Sequence, residues 1–381
     1  MSQRKVAILF GGVSPEHDVS ILTGVQAFYA LDQGCYEAVP VYIDQAGRWW
    51  SGDALIKHHD KIVNGCDFKG VKEVSLGQGG LYSGGKRVMT VDVCLIALHG
   101  GDGEDGTIQG LCEMNQMPYT GMRRTGATVA MNKWLTKKTL SAQGVDVLPD
   151  HLFRKLQNNA FYSMEQLKSL NISYPVCVKP CSLGSSVGVG FANDDETLHA
   201  LLLDLFDYDE AVLVEPAVQS LKEFNVSVLK NDQGLIELSA IESPKTEAWL
   251  DFDQKYCQGG GSKKQSAHGL INLSRDFSPK MPKAMKDALI ESAKIAFESL
   301  GGYGAPRIDF IADMTQKKIW FNEINANPGS FGYYLWAAKD QCHGYVWLLN
   351  HLLDEAIETF MTDVQESPVP KSARLFKRNS A

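Results

Sequence analysis

The chain has 381 residues, of which 44% are hydrophobic and 22% charged, and its net charge is −8. That length predicts two or three domains, and the composition is that of an ordinary water-soluble globular protein. The acidic balance argues against a broad nucleic-acid surface. No apolar run is long enough to span a membrane, and MSQRKVAILFGGV is too briefly apolar for a signal peptide. The expectation is a cytoplasmic protein with no nucleic-acid or membrane partner.

The eight cysteines are scattered without a C-x-x-C pair. This predicts reduced structural thiols and no zinc site.

KVAILFGG, residues 5–12, reads as an apolar strand. Ser14-Pro15-Glu16 then reads as a helix start, with serine as N-cap and proline at the first helical position. The helix runs to about Leu31, and YEAVPVYID is the next strand, which completes the βαβ signature of an α/β domain. Glu16 faces the crevice beyond the strand, where a carboxylate can hold a substrate ammonium; the plainer role is to complement the helix dipole. Residues 52–90 hold hairpin pieces, and VDVCLIAL, residues 91–98, is a buried strand. HGGDGEDG follows at the strand's C-terminal end, where open α/β sheets bind ligands. His99 is therefore either a ligand contact or a satisfied core histidine.

Arg123 to Gln143 has a helical pattern that contains Lys133 and stops at Gly144. VKPCSLGSSVGVG, residues 178–190, has the composition of an anion site. It is not the familiar phosphate loop, because no lysine follows its glycines and VGVGF alternates as a strand does. It predicts a hairpin pairing residues 174–179 with 187–191, its glycine-rich tip over a ligand and Lys179 as the positive tether. An ordinary Gly/Ser turn is the alternative. A helix (196–206), the strand EAVLVEPAV and two antiparallel strands (224–229 and 235–241) follow. CQGGGSKKQSAHG, residues 257–269, reads as a lid, entered through Lys255 and Tyr256. Lys255 could reach phosphates, and Tyr256 could fasten the lid against a serine. Next come an amphipathic helix (282–300), the strands RIDFIAD and KIWFNEIN, and a last helix (345–361). The basic tail, residues 366–381, is expected to be disordered.

The strongest constellation lies on those last strands. Glu323 and Asn325, two apart, share a face, and Asp309 faces them if the strands pair around the turn near Thr315. Two carboxylates and an amide oxygen suit Mg²⁺. Arg307, on the same face as Asp309, would stabilise charge on a transferring phosphoryl group. A surface sheet with alternating polar residues is the alternative.

GGVSPE, HGGDGEDG, KPCSLGSSVG, DFDQKY, RID and NEINANPG occur in this order. Together they resemble the D-alanine–D-alanine ligases of the ATP-grasp superfamily, over about residues 4–355. The resemblance implies an α/β fold, α+β in its nucleotide-binding part. A Rossmann-like substrate domain (1–121), a central subdomain with the phosphate-loop hairpin (122–218) and a C-terminal subdomain with lid and metal site (219–365) would enclose ATP. It implies that Lys133, Lys179, Ser186 and Lys255 contact the nucleotide, with Glu215 at the adenine hinge and Glu223 at the ribose. Asp309, Glu323 and Asn325 would hold two Mg²⁺ ions, a place Mn²⁺ can also take. Glu16, Ser185 and Tyr256 match the triad that orients the first D-alanine, and Arg307 with the Gly329 N–H would stabilise the tetrahedral intermediate. His99, Tyr334 and Leu335 would line the amino-acid side. The family also implies a homodimer and a role in peptidoglycan precursor synthesis.

The sequence departs from the family in four places. Tyr334 stands where a serine is expected, EPAVQSLKE is one residue longer than the common hinge-to-ribose spacing, Asn132 replaces an aspartate, and the lid is unusually rich in glycine and lysine. The first departure motivates a second reading, the same mechanism with another acceptor, either an amino acid or a hydroxy acid. A non-catalytic ATP-binding regulator is a third.

Overall fold

The computed structural model describes residues 3–156, 162–184, 187–244 and 275–365. Strand β1 (Arg4–Gly11) lies between two parallel neighbours, β2 (Tyr36–Ile43) and β7 (Val93–Ile96). Val6, Ile8 and Phe10 enter one core while Ala7 and Leu9 enter another. A strand covered on both faces must be apolar at every position, which explains the unbroken run. Beyond β2 the sheet continues as an antiparallel meander of β3 (Trp49–Ser51), β4 (Lys72–Gly77), β5 (Gly80–Ser83) and β6 (Lys86–Thr90).

Helix α1 covers His17–Ala30, so it begins later than Ser14-Pro15 predicted. The Ser14 hydroxyl accepts from the Glu16 N–H (3.2 Å) but donates to the His99 carbonyl (2.7 Å), which ties it to the strand-end loop. Two short helices follow, α2 (Ala54–Lys57) and α3 (Thr107–Met114). The single helix expected over 123–143 is instead a pair, α4 (Arg124–Met131) and α5 (Lys133–Ser141). Asn132 breaks it: its backbone is extended and its side chain caps the Leu135 N–H at 2.9 Å. The break puts Lys133 at the head of α5, with its N–H on the Cys181 carbonyl at 2.9 Å.

A second sheet has the order β10-β9-β11-β8. Its strands are β8 (His151–Arg154), β9 (Val176–Pro180), β10 (Gly190–Ala192) and β11 (Ala211–Pro216), covered by α6 (Met164–Ser169) and α7 (Asp195–Leu205). The predicted hairpin is present as β9 and β10, with Gly190 opposite Val178, but its second strand begins at Gly190 and not at Val187. Ser185 and Ser186 at its tip lie outside the described residues, as do Lys255, Tyr256, the lid and the basic tail.

The third sheet holds β12 (Leu221–Lys230) and β13 (Ile236–Leu238); a two-residue pairing of β14 (Ser243–Pro244) with β15 (Arg275–Asp276) lies beside it. It is completed by β16 (Arg307–Asp313) and β17 (Lys318–Asn325), in the order β13-β12-β16-β17. Phe224, Val226 and Val228 of β12 and Ile308, Phe310 and Ala312 of β16 form its core with Met285, Leu289, Ala293 and Ala296 of α8 (Lys283–Ser299). Strand alternation therefore turns Glu223, Asn225, Arg307, Asp309 and Ile311 to the opposite face.

The last two helices, α9 (Tyr333–Lys339) and α10 (Tyr345–Gln365), return to the first sheet. Trp336, Leu348, Leu349, Leu352 and Leu353 share one core with Val6, Ile8 and Phe10. Glu355 of α10 accepts the Gly304 N–H at 2.8 Å. Burial raises its carboxyl to about 7, although that N–H, Lys230 and Arg123 pull it down. The folded chain therefore binds more protons than the unfolded chain between pH 4.5 and 7, and stability falls as pH rises through that window. Glu355→Gln removes the ionisable group. It should match the wild type near pH 4.5 and exceed it at pH 8 by up to roughly 3 kcal/mol. Denaturant unfolding at both values checks this, and parallel pH profiles would refute it.

Candidate active site

The third sheet's open face carries the acidic group. Asp309 pairs in register with Glu323, and Arg307 with Asn325, so these four side chains share one face of two adjacent strands. A register shift after Asp309, which sets Phe310 against Phe321, leaves Asn322 as the extra residue of a bulge. The bulge lets the Asn322 amide oxygen reach Lys179 Nζ at 3.0 Å while Glu323 still faces Asp309.

Each acid already faces a cation. Arg307 donates through Nε and Nη2 to the two Asp309 oxygens, both at 2.7 Å. Burial works against the charge on Arg307, but Asp309 outweighs it and keeps the guanidinium charged. Lys133 Nζ lies 3.1 Å from Glu323 and donates to the Leu183 carbonyl at 2.6 Å, just before the hairpin tip. Among the described residues there is no cluster of three or more His, Cys, Asp and Glu suited to a metal. A metal here would rest on two carboxylates and the Asn325 oxygen.

A pocket opens at the far end of the same face, between the second and third sheets. Leu148, Cys177, Phe191, Ala217, Leu221 and Ile311 line it, and Lys179, Glu215 and Asn322 supply its polar groups. Glu223, two residues along β12 from Leu221 and opposite Ile311, faces the same side. Glu215 is almost fully buried between two lysines: Lys179 at 2.5 Å and Lys137 on its other oxygen. Burial pushes the Glu215 carboxyl up, but the two lysines outweigh that and hold it ionised. Lys179 is likewise held charged by Glu215 against its burial. Burial dominates at Lys137 and lowers it to about 8, against the pull of Glu215. Lys137 was not among the residues the sequence singled out.

At the opposite end, the first sheet approaches the Gly329–Gly332 turn. The Glu16 carboxylate sits against Gly100 and Gly184, where a Cβ on either glycine would come within 2.8 and 3.5 Å of its oxygens. Glu16 thus lies close to both the strand-end loop and Gly184, the last described residue before the hairpin tip. His99 is buried with both ring nitrogens in use: Nδ1 meets the Asn327 carbonyl at 2.8 Å, and Nε2 meets the Thr23 hydroxyl at 2.8 Å. Nδ1 donates to that carbonyl, and the Thr23 hydroxyl bonded to Nε2 accepts the Ser330 N–H at 3.2 Å. Asn327 adds bonds to the Ile96 and Leu98 carbonyls at 2.9 and 2.7 Å. These contacts hold the turn beginning at Gly329, in which Ser330 and Phe331 adopt left-handed backbone (φ 50° and 56°). Such strain persists only where surrounding contacts enforce it. His99 fastens the turn with those nitrogens, and its Nδ1 also lies 3.5 Å from the Glu104 carboxylate. The Leu335 side chain is fully buried, and its carbonyl accepts the Ala240 N–H at 3.2 Å. Tyr334 lies beyond Arg307, its ring 4.1 Å from the Arg275 guanidinium.

The family model described as D-ala D-ala ligase N-terminus matches residues 5–122, and that of the D-ala D-ala ligase C-terminus matches residues 140–354. The chain belongs to the D-alanine–D-alanine ligase family. A relative of that name from Thermosipho africanus is 33% identical over 365 residues, covering 93% of this chain and 94% of its own. The D-alanine–D-alanine ligase structure from Coxiella burnetii superposes with a TM-score of 0.78 at 24% identity, over 96% of this chain and 97% of that one. A ligase structure from Bacillus anthracis complexed with ATP gives 0.66 at 21% identity, over 94% and 99%. The fold is ATP-grasp, as the motif order implied. Among the described residues no helix is long and apolar enough to cross a membrane.

Proposed function

We propose that the chain joins two D-alanines, converting ATP to ADP and phosphate through an acyl-phosphate intermediate. The observation that carries this reading is the placement of Arg307, Asp309, Glu323 and Lys133 in one cluster, between the Glu215 pocket and the Gly329 turn. The relatives' name and the ATP-bound structure support it.

In this reading adenine enters the pocket at Glu215, Glu223 meets the ribose, and Lys133 and Lys179 meet the phosphates. Ser186 and Lys255 would contribute from the hairpin tip and the lid entry. Glu16, with Ser185 and Tyr256, orients the first D-alanine so that its carboxylate attacks the terminal phosphate. The amine of the second D-alanine attacks the resulting acyl phosphate; a tetrahedral centre forms, phosphate leaves, and the peptide bond remains. Arg307 and the Gly329 N–H offset the charge on that centre. Holding the reactants together supplies much of the remaining acceleration.

The donor set fits Mg²⁺, since it is all oxygen: two carboxylates and an amide oxygen on one face of two adjacent strands. Asp309, Glu323 and Asn325 would hold it, and when bound it neutralises phosphate oxygens. The family reading also carries a three-domain division, a cytoplasmic location and a homodimer.

The test is ADP release with Mg²⁺, ATP and D-alanine alone, with the product identified by mass spectrometry. Dipeptide formation is expected. Turnover only after another amino or hydroxy acid is added would reassign the acceptor, and no ADP with any of them would remove the activity.

A further inference from the structure

Lys137 is the member of the Glu215 triad for which the nucleotide reading has no use. It lies on α5, one turn after Lys133, and it is fully buried, so it cannot touch a ligand in the pocket. Among the described residues its one hydrogen-bond partner is Glu215 Oε1. A buried charge is expensive to hold, and an apolar side chain of similar volume often serves the fold as well or better. The charge on Lys137 therefore needs a reason beyond packing.

The reason lies in how Glu215 divides its own charge. Its Oε1 takes Lys137, and its Oε2 takes Lys179 at 2.5 Å. One carboxylate against two ammonium groups leaves one positive charge in excess. Lys179 is the ammonium that lines the pocket. Its Nζ also meets the Asn322 amide oxygen at 3.0 Å, which leaves one of its three N–H groups without a partner among the described residues. If Lys137 were neutral, Glu215 and Lys179 would form a closed pair with no net charge. With Lys137 charged, the carboxylate is neutralised from behind and the excess stays with Lys179. In a site this dry the difference counts for more than it would in water.

We propose that Lys137 is a positioning residue whose charge occupies Glu215 from the protein interior, so that Lys179 presents uncompensated positive charge to the phosphates of ATP. This inference rests on the reading of the pocket as the ATP site. The groups around Lys137 leave that role to it. Asp150, just before β8, attracts Lys137 but is bonded to Lys138 at 2.9 Å. The Cys177 thiol, in register with Glu215 on β9, is kept neutral by burial. Glu323 of β17 lies against Lys133. Helix α8 brings apolar Leu289 and Ala293 to the core that α5 enters through Leu140. Within the triad Glu215 and Lys179 both stay charged, while burial lowers Lys137 to about 8. Lys137 is thus the first of the three to change charge as pH rises, and the excess positive charge is lost with its proton.

Calorimetric titration with ATP and Mg²⁺, without D-alanine, tests this, with adenosine as the probe that carries no phosphate. Lys137→Met keeps the length of the side chain and removes the charge. At pH 7 it should weaken ATP tenfold or more and leave adenosine within twofold. The wild type should itself lose ATP affinity about fivefold or more from pH 7 to pH 9, while the variant, already weak, stays level. A distorted pocket would weaken ATP and adenosine alike and would not abolish the pH dependence. If Lys137→Met does not fold, the wild-type profile decides, and an ATP affinity unchanged from pH 7 to pH 9 overturns the proposal. A folded variant that binds ATP as the wild type does, or weakens both ligands equally, overturns this proposal alone. A wild type that binds no ATP at any pH overturns the nucleotide reading and this proposal with it.

Discussion

Arg307→Ala is expected to lower kcat by about 10² or more while leaving the Michaelis constant for ATP within a few-fold. That is a loss of about 3 kcal/mol of transition-state stabilisation. The expectation follows from where the guanidinium sits. It is held by two 2.7 Å bonds to Asp309, directly across the strand pair from Asn325, and it stays charged despite burial. A donor fixed in advance needs no reorganisation when charge develops beside it, and this is the condition under which one donor has a large effect. The pocket at Glu215, the proposed place of adenine, lies at the other end of β16, so nucleotide affinity should change little. Arg307→Lys serves as the companion variant: it keeps the charge and loses the fork, so its kcat should fall between those of the wild type and the alanine variant. Steady-state kinetics on both, with melts to show that Asp309 tolerates the loss of its partner, checks the claim. An unchanged kcat in Arg307→Ala would remove the residue from the chemistry.

Much of this site was legible in the sequence, because strand alternation and turn chemistry are local signals. RIDF and WFNEIN were readable as two strands presenting one face, and the register places Asp309 directly against Glu323. The hairpin was readable as two strands around a glycine-rich tip, but the alternation of VGVGF misplaced the second strand, which begins at Gly190. What was hidden depended on partners distant in the chain. Lys137 sits four residues after Lys133 in the polar stretch KWLTKK and looks like a solvated lysine, yet it is buried on Glu215, 78 residues away. Arg275 follows the largely apolar LINLS and has no local pattern that marks it; its contacts with Glu242 and Tyr334 span 33 and 59 residues. The break at Asn132 was missed for another reason. The helical pattern runs through Asn132 with no glycine or proline adjacent to it, and the cap bond to Leu135 starts the second helix there. His99 was weighed as ligand contact or core residue, and bonds to Thr23 and Asn327 account for both its nitrogens. The left-handed backbone at Ser330 and Phe331 was invisible because neither residue type favours it; long-range contacts to Thr23 and Gln26 enforce it.

The other large effect should come from Glu215, where two positive charges depend on one negative one. Lys137 and Lys179 are both buried, and both contact this carboxylate. Glu215→Ala leaves two ammonium groups in a dry interior. Breaking a buried pair by removing one partner costs about 3–5 kcal/mol, because the remaining charge stays desolvated. The site can limit that penalty by releasing protons. Lys137 is already lowered to about 8 by burial with Glu215 present, and it falls further without it. Lys179 loses the charge that holds its pKa above the ordinary value. Both lysines remain protonated in the unfolded chain up to about pH 10.4. The folded variant therefore binds fewer protons than its unfolded state across the neutral and mildly alkaline range, and its stability rises with pH there. The wild type shares this slope only above about 8 and only through Lys137. The deficit of Glu215→Ala should thus be largest near pH 7 and shrink toward pH 9, while its Michaelis constant for ATP rises tenfold or more as the pocket wall loses its shape. Denaturant unfolding of both proteins at pH 7 and 9, followed by ATP titration, distinguishes the outcomes. A deficit that does not change with pH would mean that the lysines keep their protons and find other partners, and the triad would then be a packing feature with no electrostatic hold on the pocket.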